Sequence, residues 1–231
     1  RALRDITSEG VTTATTPMGA MELKGKAIFV LPNRLYNEVT TPMGTMLQVL
    51  DGEKAWMQMG GRSRDLPESA AAEMRRTLYT VAGCAMVVRD VLEGRLQAQA
   101  AGKVNFEGKA AEDVLVRLGD KPVHIYLAPN ASEIIGVRRT TQTQQGLAEV
   151  VELFGGYQVV SGLRLPFENT TKVKGEVQAS TKLSAVKINA GFSEDLFKKP
   201  AAGEEKEASG RRIGGPAHSG PPRFRLWLAS G

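Results

Sequence analysis

Hydrophobic and polar positions alternate in short runs along most of the chain, and turn-forming residues separate one run from the next. Typical runs are Leu23 to Leu31, Leu35 to Thr41, Val114 to Leu118 and Val123 to Leu127. Each has about 5–9 residues, which is near the usual length of a strand. Strands joined by so few residues pair antiparallel, because a parallel return needs a crossover of about a dozen residues or more. The pattern predicts an antiparallel meander.

A near-repeat marks two of the turns. Thr-Thr-Pro-Met-Gly occurs at 15–19 and again at 40–44. Proline pre-sets the backbone angle φ for the second position of a turn, and glycine suits the last position. We therefore expect two hairpin tips at the same end of one sheet.

One stretch departs from the β pattern. The segment Asp65 to Glu68 has the spacing of a capping box, and its proline is tolerated in the first turn of a helix. Apolar residues at four-residue spacing follow, namely Ala70, Met74 and Leu78. This stripe predicts a helix over 69–79 that packs across one face of the sheet, with a second helical segment over 81–92.

The charged residues add little to this prediction of the fold. The chain has 231 residues and a net charge of +5. Basic and acidic residues interleave through 1–200, whereas a nucleic-acid-binding protein concentrates Lys and Arg on one face or in one run. The small positive excess therefore indicates solubility, and nucleic acid is not expected as a partner.

The composition changes after Pro200. Residues 201–231 are rich in Gly, Pro, Ala, Ser and Arg and show no periodicity. Such a segment cannot bury enough apolar surface to offset its chain entropy. We expect one domain over 1–200 and a disordered tail over 201–231, with a short docking motif at 224–228 as the alternative for its apolar end.

Residues suited to catalysis are few. The chain has two histidines, His124 and His218, and one cysteine, Cys84. Neither histidine belongs to a zinc-binding pattern, and the residues around Cys84 are typical of a buried thiol. Nucleophile-elbow, phosphate-loop and dinucleotide motifs are absent from the sequence. We therefore expect a non-catalytic protein with no cofactor and no metal.

Apolar surface is the remaining feature. One face of the predicted sheet is apolar across most strands, while the other carries Lys, Arg, Gln and Thr. Two interpretations stay open: a core that the helix covers, or a curved sheet whose concave face accepts a lipid or another apolar guest. In the second, the expected ligand-binding residues are Phe29, Leu31, Leu35, Val39, Leu47, Val49, Met57, Val116, Ile125 and Leu153.

Several turn and strand motifs resemble those of one superfamily. They are Thr40 to Met46, Ala55 to Met57, Tyr126 to Pro129, Gly162 to Pro166 and Asp195 to Pro200. With these motifs the chain resembles the LolA-like superfamily of periplasmic outer-membrane lipoprotein carriers. Within it, the resemblance is to the carrier-like domain at the C-terminus of bacterial insulinase-like (pitrilysin) zinc peptidases.

The resemblance implies a mainly β fold. It would be an open antiparallel half-barrel of roughly eleven strands, with one or two helices packed on the concave face. The resemblance also implies a periplasmic location. The helix that precedes the first strand in such carriers would survive here only as Arg1 to Asp5.

Two functions follow from these observations. The first is a non-catalytic transport module that binds a lipid or an acylated lipoprotein on the concave face. The second is a structural or substrate-presenting accessory domain of an insulinase-like metallopeptidase, in the same or a neighbouring chain, with no ligand of its own. For the first, replacing Phe29 or Leu47 by Asp is expected to abolish binding.

Overall fold

The structure is a computed structural model that describes residues 3–17, 19–118, 121–130, 133–143 and 146–200. Six strands precede the helix: β1 (Asp5–Thr16), β2 (Gly19–Val30), β3 (Arg34–Thr41), β4 (Gly44–Asp51), β5 (Lys54–Met59) and β6 (Arg62–Asp65). The helix α1 spans Glu68–Leu92. Five strands follow it: β7 (Ala98–Phe106), β8 (Lys109–Leu118), β9 (Lys121–Leu127), β10 (Ile134–Thr143) and β11 (Gly146–Gly155). The remaining elements are β12 (Gln158–Val160), β13 (Leu163–Leu165), β14 (Glu168–Val173), β15 (Glu176–Ile188) and a 3₁₀ helix, Glu194–Phe197.

Thirteen of the described strands form one antiparallel sheet. Their order is β6-β5-β4-β3-β2-β1-β15-β14-β11-β10-β9-β8-β7, and β12 pairs with β13 in a separate hairpin. The two meanders β1–β6 and β7–β11 are therefore joined through β15 and β14 in the middle of the sheet. Strands β6 and β7 lie at opposite edges, so the sheet stays open. The predicted mainly β, open antiparallel half-barrel is confirmed, with thirteen strands instead of about eleven.

The repeated Thr-Thr-Pro-Met-Gly segments form hairpin tips, as predicted. Thr16 pairs with Gly19 at the end of β1 and β2, and Thr41 pairs with Gly44 at the end of β3 and β4. In both hairpins the threonine hydroxyl donates to the glycine carbonyl oxygen, at 2.7 and 2.9 Å. Because β2 lies beside β3, the two tips lie at the same end of the sheet.

Helix α1 is continuous over both predicted helical segments. The predicted capping box is wrong: Asp65 ends β6 opposite Trp56, and Pro67 is the N-cap without a side-chain hydrogen bond. The helix contacts β3, β4 and β5 on one side and β10 on the other. It thus packs on the concave face and links the two halves of the sheet.

At the N-terminal end, residues 3 and 4 lead directly into β1, which lies in the middle of the sheet between β2 and β15. The expectation that a preceding helix is truncated stays a prediction. Strand β1 is rich in threonine, a β-branched residue that favours strands, but it lacks apolar alternation. The pattern of hydrophobic positions therefore did not predict β1. The predicted tail, 201–231, lies outside the described residues.

Candidate apolar-ligand cavity

A cavity of about 300 Å³ lies on the concave face at the middle of the sheet. Strands β1, β2 and β15 contribute most of its wall, with further residues from β3 and β14. The apolar residues on these strands that line it are Ile6, Leu23, Phe29, Val39, Leu183 and Val186. Its volume is at the lower end for ligand sites and equals that of roughly ten water molecules or methylene groups.

Small residues at the floor of the cavity explain why space is left there. On the paired strands β1 and β2, Gly10 lies opposite Gly25, and Ser8 lies opposite Ala27. All four line the cavity. Side chains along a strand alternate between faces, so two successive inward positions on each of these strands carry a small side chain or none. The sheet thus forms a depression instead of a packed layer.

Aromatic residues close part of the cavity from the other half of the sheet. Phe154 at the end of β11 and Phe167, between β13 and β14, are both buried and line the cavity. The backbone N–H of Phe167 donates to the Gly155 carbonyl oxygen, and its carbonyl oxygen accepts from the Leu183 N–H. Leu165 and Pro166 complete this wall. The segment is therefore held to both β11 and β15.

The wall also contains neutral polar groups. The hydroxyls of Thr12 and Thr181 form a hydrogen bond of 2.8 Å across β1 and β15. Asn37 and Asn169 line the cavity from β3 and β14. The charged residues of the wall, Glu168 and Lys26, are by contrast exposed, and Glu168 pairs with Lys182 at 3.7 Å. The interior is thus apolar with a few uncharged polar groups, an arrangement typical of sites for amphipathic small molecules.

Helix α1 packs on the sheet through two apolar clusters beside the cavity. In one, Ala71, Leu78 and Met86 of the helix pack on Leu35 and Leu50. In the other, Cys84 and Val87 pack on a group from β8 to β11 that includes Val116, Val123, Ile125 and Val137. These contacts fill both flanks of the concave face. The central strands β1, β2 and β15 are therefore the part of the concave face that is left open to a ligand.

A buried polar cluster also ties the helix to the sheet. Glu73 of α1 accepts hydrogen bonds from the Thr141 hydroxyl at 2.9 Å and from the Arg139 guanidinium at 3.2 Å. Arg139 also donates to Glu152 at 3.2 Å, and Arg76 donates to Glu73. Glu73, Arg139 and Glu152 have side chains no more than 10% exposed. Each charge is thus buried with a partner, as burial requires.

Of the ten residues predicted to bind a ligand, two line the cavity, Phe29 and Val39. Five more lie on the concave face but pack in its clusters. Leu31 and Leu35 pack against the helix, Val116 and Ile125 lie in the second helix cluster, and Met57 packs near Leu23 and Met46.

The other three predicted residues face away from the cavity. Leu47 and Val49 pack on the opposite face of the sheet with Trp56 and Phe197. Leu153 also lies on that face, in the cluster with Phe106. The prediction that all ten share one face is therefore wrong for these three. The cause is that β4 and β11 carry apolar residues on both sides, so alternation does not identify the inner side.

The floor residues Ser8, Gly10, Gly25 and Ala27 were missed by the sequence prediction. The pattern that could have identified them is a small residue at every second position of two strands that a short turn connects. Asn169 and Thr181 were missed too, since a polar residue carries no hydrophobic signal that would place it on the inner face.

The candidate groups for catalysis lie apart from one another. His124 is on the opposite face of the sheet, where its Nδ1 lies 2.9 Å from the Asp113 carboxylate. Cys84 is fully buried, and this desolvation raises the pKa of its thiol well above the ordinary value. A protonated, enclosed thiol is not a nucleophile.

Two further findings concern the described residues alone. They contain no group of three or more His, Cys, Asp or Glu placed to hold a metal ion. Within the same residues, no helix combines the length and apolar character needed to cross a membrane.

Comparison with known proteins gives matches only among solved structures. No protein-family model matches the sequence, and no curated protein matches it. The fold is similar to that of a LolA superfamily protein from Nitrosomonas europaea, with a TM-score of 0.58, 10% identity and coverage of 85% of this chain and 90% of that one. It is also similar to a putative outer membrane lipoprotein-sorting protein domain from Vibrio parahaemolyticus, with a TM-score of 0.56, 11% identity and coverage of 84% and 89%.

A third neighbour is a DUF1329 family protein from Desulfovibrio piger, with a TM-score of 0.55, 10% identity and coverage of 85% and 90%. The chain thus has the fold of LolA-superfamily and lipoprotein-sorting-like domains. At these identities the likeness concerns the fold.

Proposed function

We propose that this chain is a non-catalytic carrier module that holds one acyl chain, or another apolar group of similar size, in the cavity on its concave face. The observation that carries the proposal is the floor of the cavity, where Gly10 and Gly25 leave an apolar depression between filled clusters. A volume of about 300 Å³ holds roughly ten methylene groups, which suits one chain better than several.

The partner in this proposal is a lipid or an acylated lipoprotein in the bacterial envelope, with the periplasm as the compartment. The names of the neighbours from Vibrio parahaemolyticus and Nitrosomonas europaea support this class of partner. No contact or comparison favours the alternative of an accessory domain of an insulinase-like peptidase.

The test uses the full chain and N-phenyl-1-naphthylamine, an uncharged dye whose emission increases in an apolar site. We expect one-to-one binding by the wild type and loss of binding in Gly25→Leu. A Cβ added at Gly25 meets only the Glu38 carbonyl oxygen, at 3.8 Å, so the new side chain enters the cavity without displacing backbone.

Lys24→Leu is the matched control, because it adds the same side chain at the preceding, exposed position of β2. Unchanged binding in this control, with loss in Gly25→Leu, supports the cavity as the site. Equal binding by both variants, or no binding by the wild type, would overturn the proposed function.

A further inference from the structure

Asn169 has a buried oxygen that lacks a hydrogen-bond donor. It lies on β14, and its side chain lines the cavity. The side-chain oxygen Oδ1 is buried and accepts no hydrogen bond from the residues that the structure describes. A buried carbonyl oxygen without a donor costs free energy, and most such groups in folded proteins have a partner.

The neighbours of Asn169 on the same face do not supply a donor. The residues opposite it are Phe154 on β11 and Thr181 on β15. Phe154 has no polar group, and the Thr181 hydroxyl is in its hydrogen bond with Thr12. The donor for Asn169 must therefore come from elsewhere, and the cavity is the space that its side chain borders.

Rotation of the carboxamide brings the oxygen to this space. The last side-chain torsion of asparagine has a broad, roughly two-fold energy profile, so either end of the amide can be turned to the cavity at low cost. Asn169 is thus able to accept from, or donate to, a ligand beside it.

We infer that the ligand carries an uncharged hydrogen-bonding group, a hydroxyl or an amide, that binds Asn169 while its chain occupies the apolar floor. This inference rests on the proposed function and specifies its substrate class: an acyl or alkyl chain with a polar, uncharged group attached. An unsubstituted hydrocarbon leaves Asn169 as it is. The cationic residue of the cavity lining is Lys26 on β2, whereas the cross-strand neighbours of Asn169 are the uncharged Phe154 and Thr181. A carboxylate beside Asn169 would therefore be desolvated without a cation among these neighbours.

The test compares decan-1-ol with 1-chlorodecane, which has nearly the same size but no hydroxyl. Each displaces N-phenyl-1-naphthylamine from the full chain, and the ratio of the two affinities is measured in wild type and in Asn169→Leu. Because both proteins face the same two ligands, differences in ligand hydration cancel. We expect the ratio to shift about tenfold toward the chloride in Asn169→Leu, the size of one hydrogen bond to a buried group.

Gln58→Leu is the control, since it replaces a carboxamide by the same side chain on β5, away from the residues that line the cavity, and its ratio should equal that of wild type. If Asn169→Leu does not fold, Asn169→Ala provides the same readout. An unchanged ratio in the Asn169 variants would overturn this inference and leave the proposed function intact. Absence of N-phenyl-1-naphthylamine binding by the wild type would instead remove the proposed function itself.

Discussion

Gly10 and Gly25 lie opposite each other on β1 and β2, yet their surroundings differ sharply. A Cβ at Gly10 would lie 2.5 Å from the Lys182 carbonyl oxygen and 2.9 Å from the Leu183 Cα, both backbone atoms of β15. This close approach occurs where the pairing of β1 with β15 shifts register. Gly10 is therefore required by the backbone, whereas Gly25 only keeps the cavity open.

The first prediction follows from this contrast. We expect Gly10→Ala to lower the free energy of unfolding by about 1–3 kcal/mol, because backbone atoms must move. Gly25→Ala should change it by less than about 1 kcal/mol, since alanine is the better strand residue and meets no close atom. Urea denaturation of both variants measures the difference. Equal effects would show that the register shift does not bring β15 against Gly10.

The second prediction concerns the buried cluster that ties α1 to the sheet. Glu73→Ala leaves the Arg139 guanidinium and the Thr141 hydroxyl without their shared acceptor. Breaking a buried ion pair by removing one partner costs about 3–5 kcal/mol, and we expect a loss near the lower limit because Glu152 still pairs with Arg139.

Glu68→Ala is the control for this substitution. Glu68 is on the same helix and pairs with Arg75, but its side chain is 68% exposed. An exposed pair contributes little, so the control should lose less than about 1 kcal/mol. Similar losses in the two variants would contradict a stabilising role for the buried cluster.

A third prediction concerns Gly136 on the opposite face of the sheet. The Phe106 ring stacks on Tyr126, with centroids 3.8 Å apart, and covers Gly136. A Cβ at Gly136 would lie 2.4 Å from Phe106 Cε1 and 2.5 Å from the Glu152 carbonyl oxygen. We expect Gly136→Ala to cost about 1–3 kcal/mol and to be non-additive with Phe106→Leu in thermal unfolding. Strict additivity would show that the ring does not determine the need for glycine here.

Local chemistry accounts for the features that the sequence predicted well. Thr41, Pro42 and Gly44 define their hairpin tip by themselves, because the turn depends on backbone angles and one hydroxyl hydrogen bond. Helix α1 was predicted from apolar spacing and helix-forming residues. Both signals are contained within a few neighbouring residues.

Features that depend on distant strands were not predictable in the same way. Strand β4 carries Leu47 and Val49 on one face and Met46 and Leu50 on the other, so its inner side is decided by its neighbours and by α1. The cavity likewise depends on Gly10 and Gly25 meeting across a pair of strands. A glycine has no side chain to contribute to the pattern of hydrophobic positions. The sequence therefore predicted only part of the site.

The last prediction concerns acid stability at the end of α1. Burial by itself raises the pKa of Asp90, but the hydrogen bonds from Arg95 at 2.6 Å and Arg89 at 2.9 Å outweigh it and lower the pKa below its ordinary value. A lowered folded-state pKa means that the carboxylate stabilises the fold fully above the ordinary pKa of about 4 and loses this contribution as the pH falls through the folded-state value. We therefore expect wild type to exceed Asp90→Asn in unfolding free energy at about pH 6, and this difference to shrink as the pH falls below about 4. Urea denaturation at several pH values measures this difference, and a difference independent of pH would show that the charge of Asp90 is not what holds the arginines.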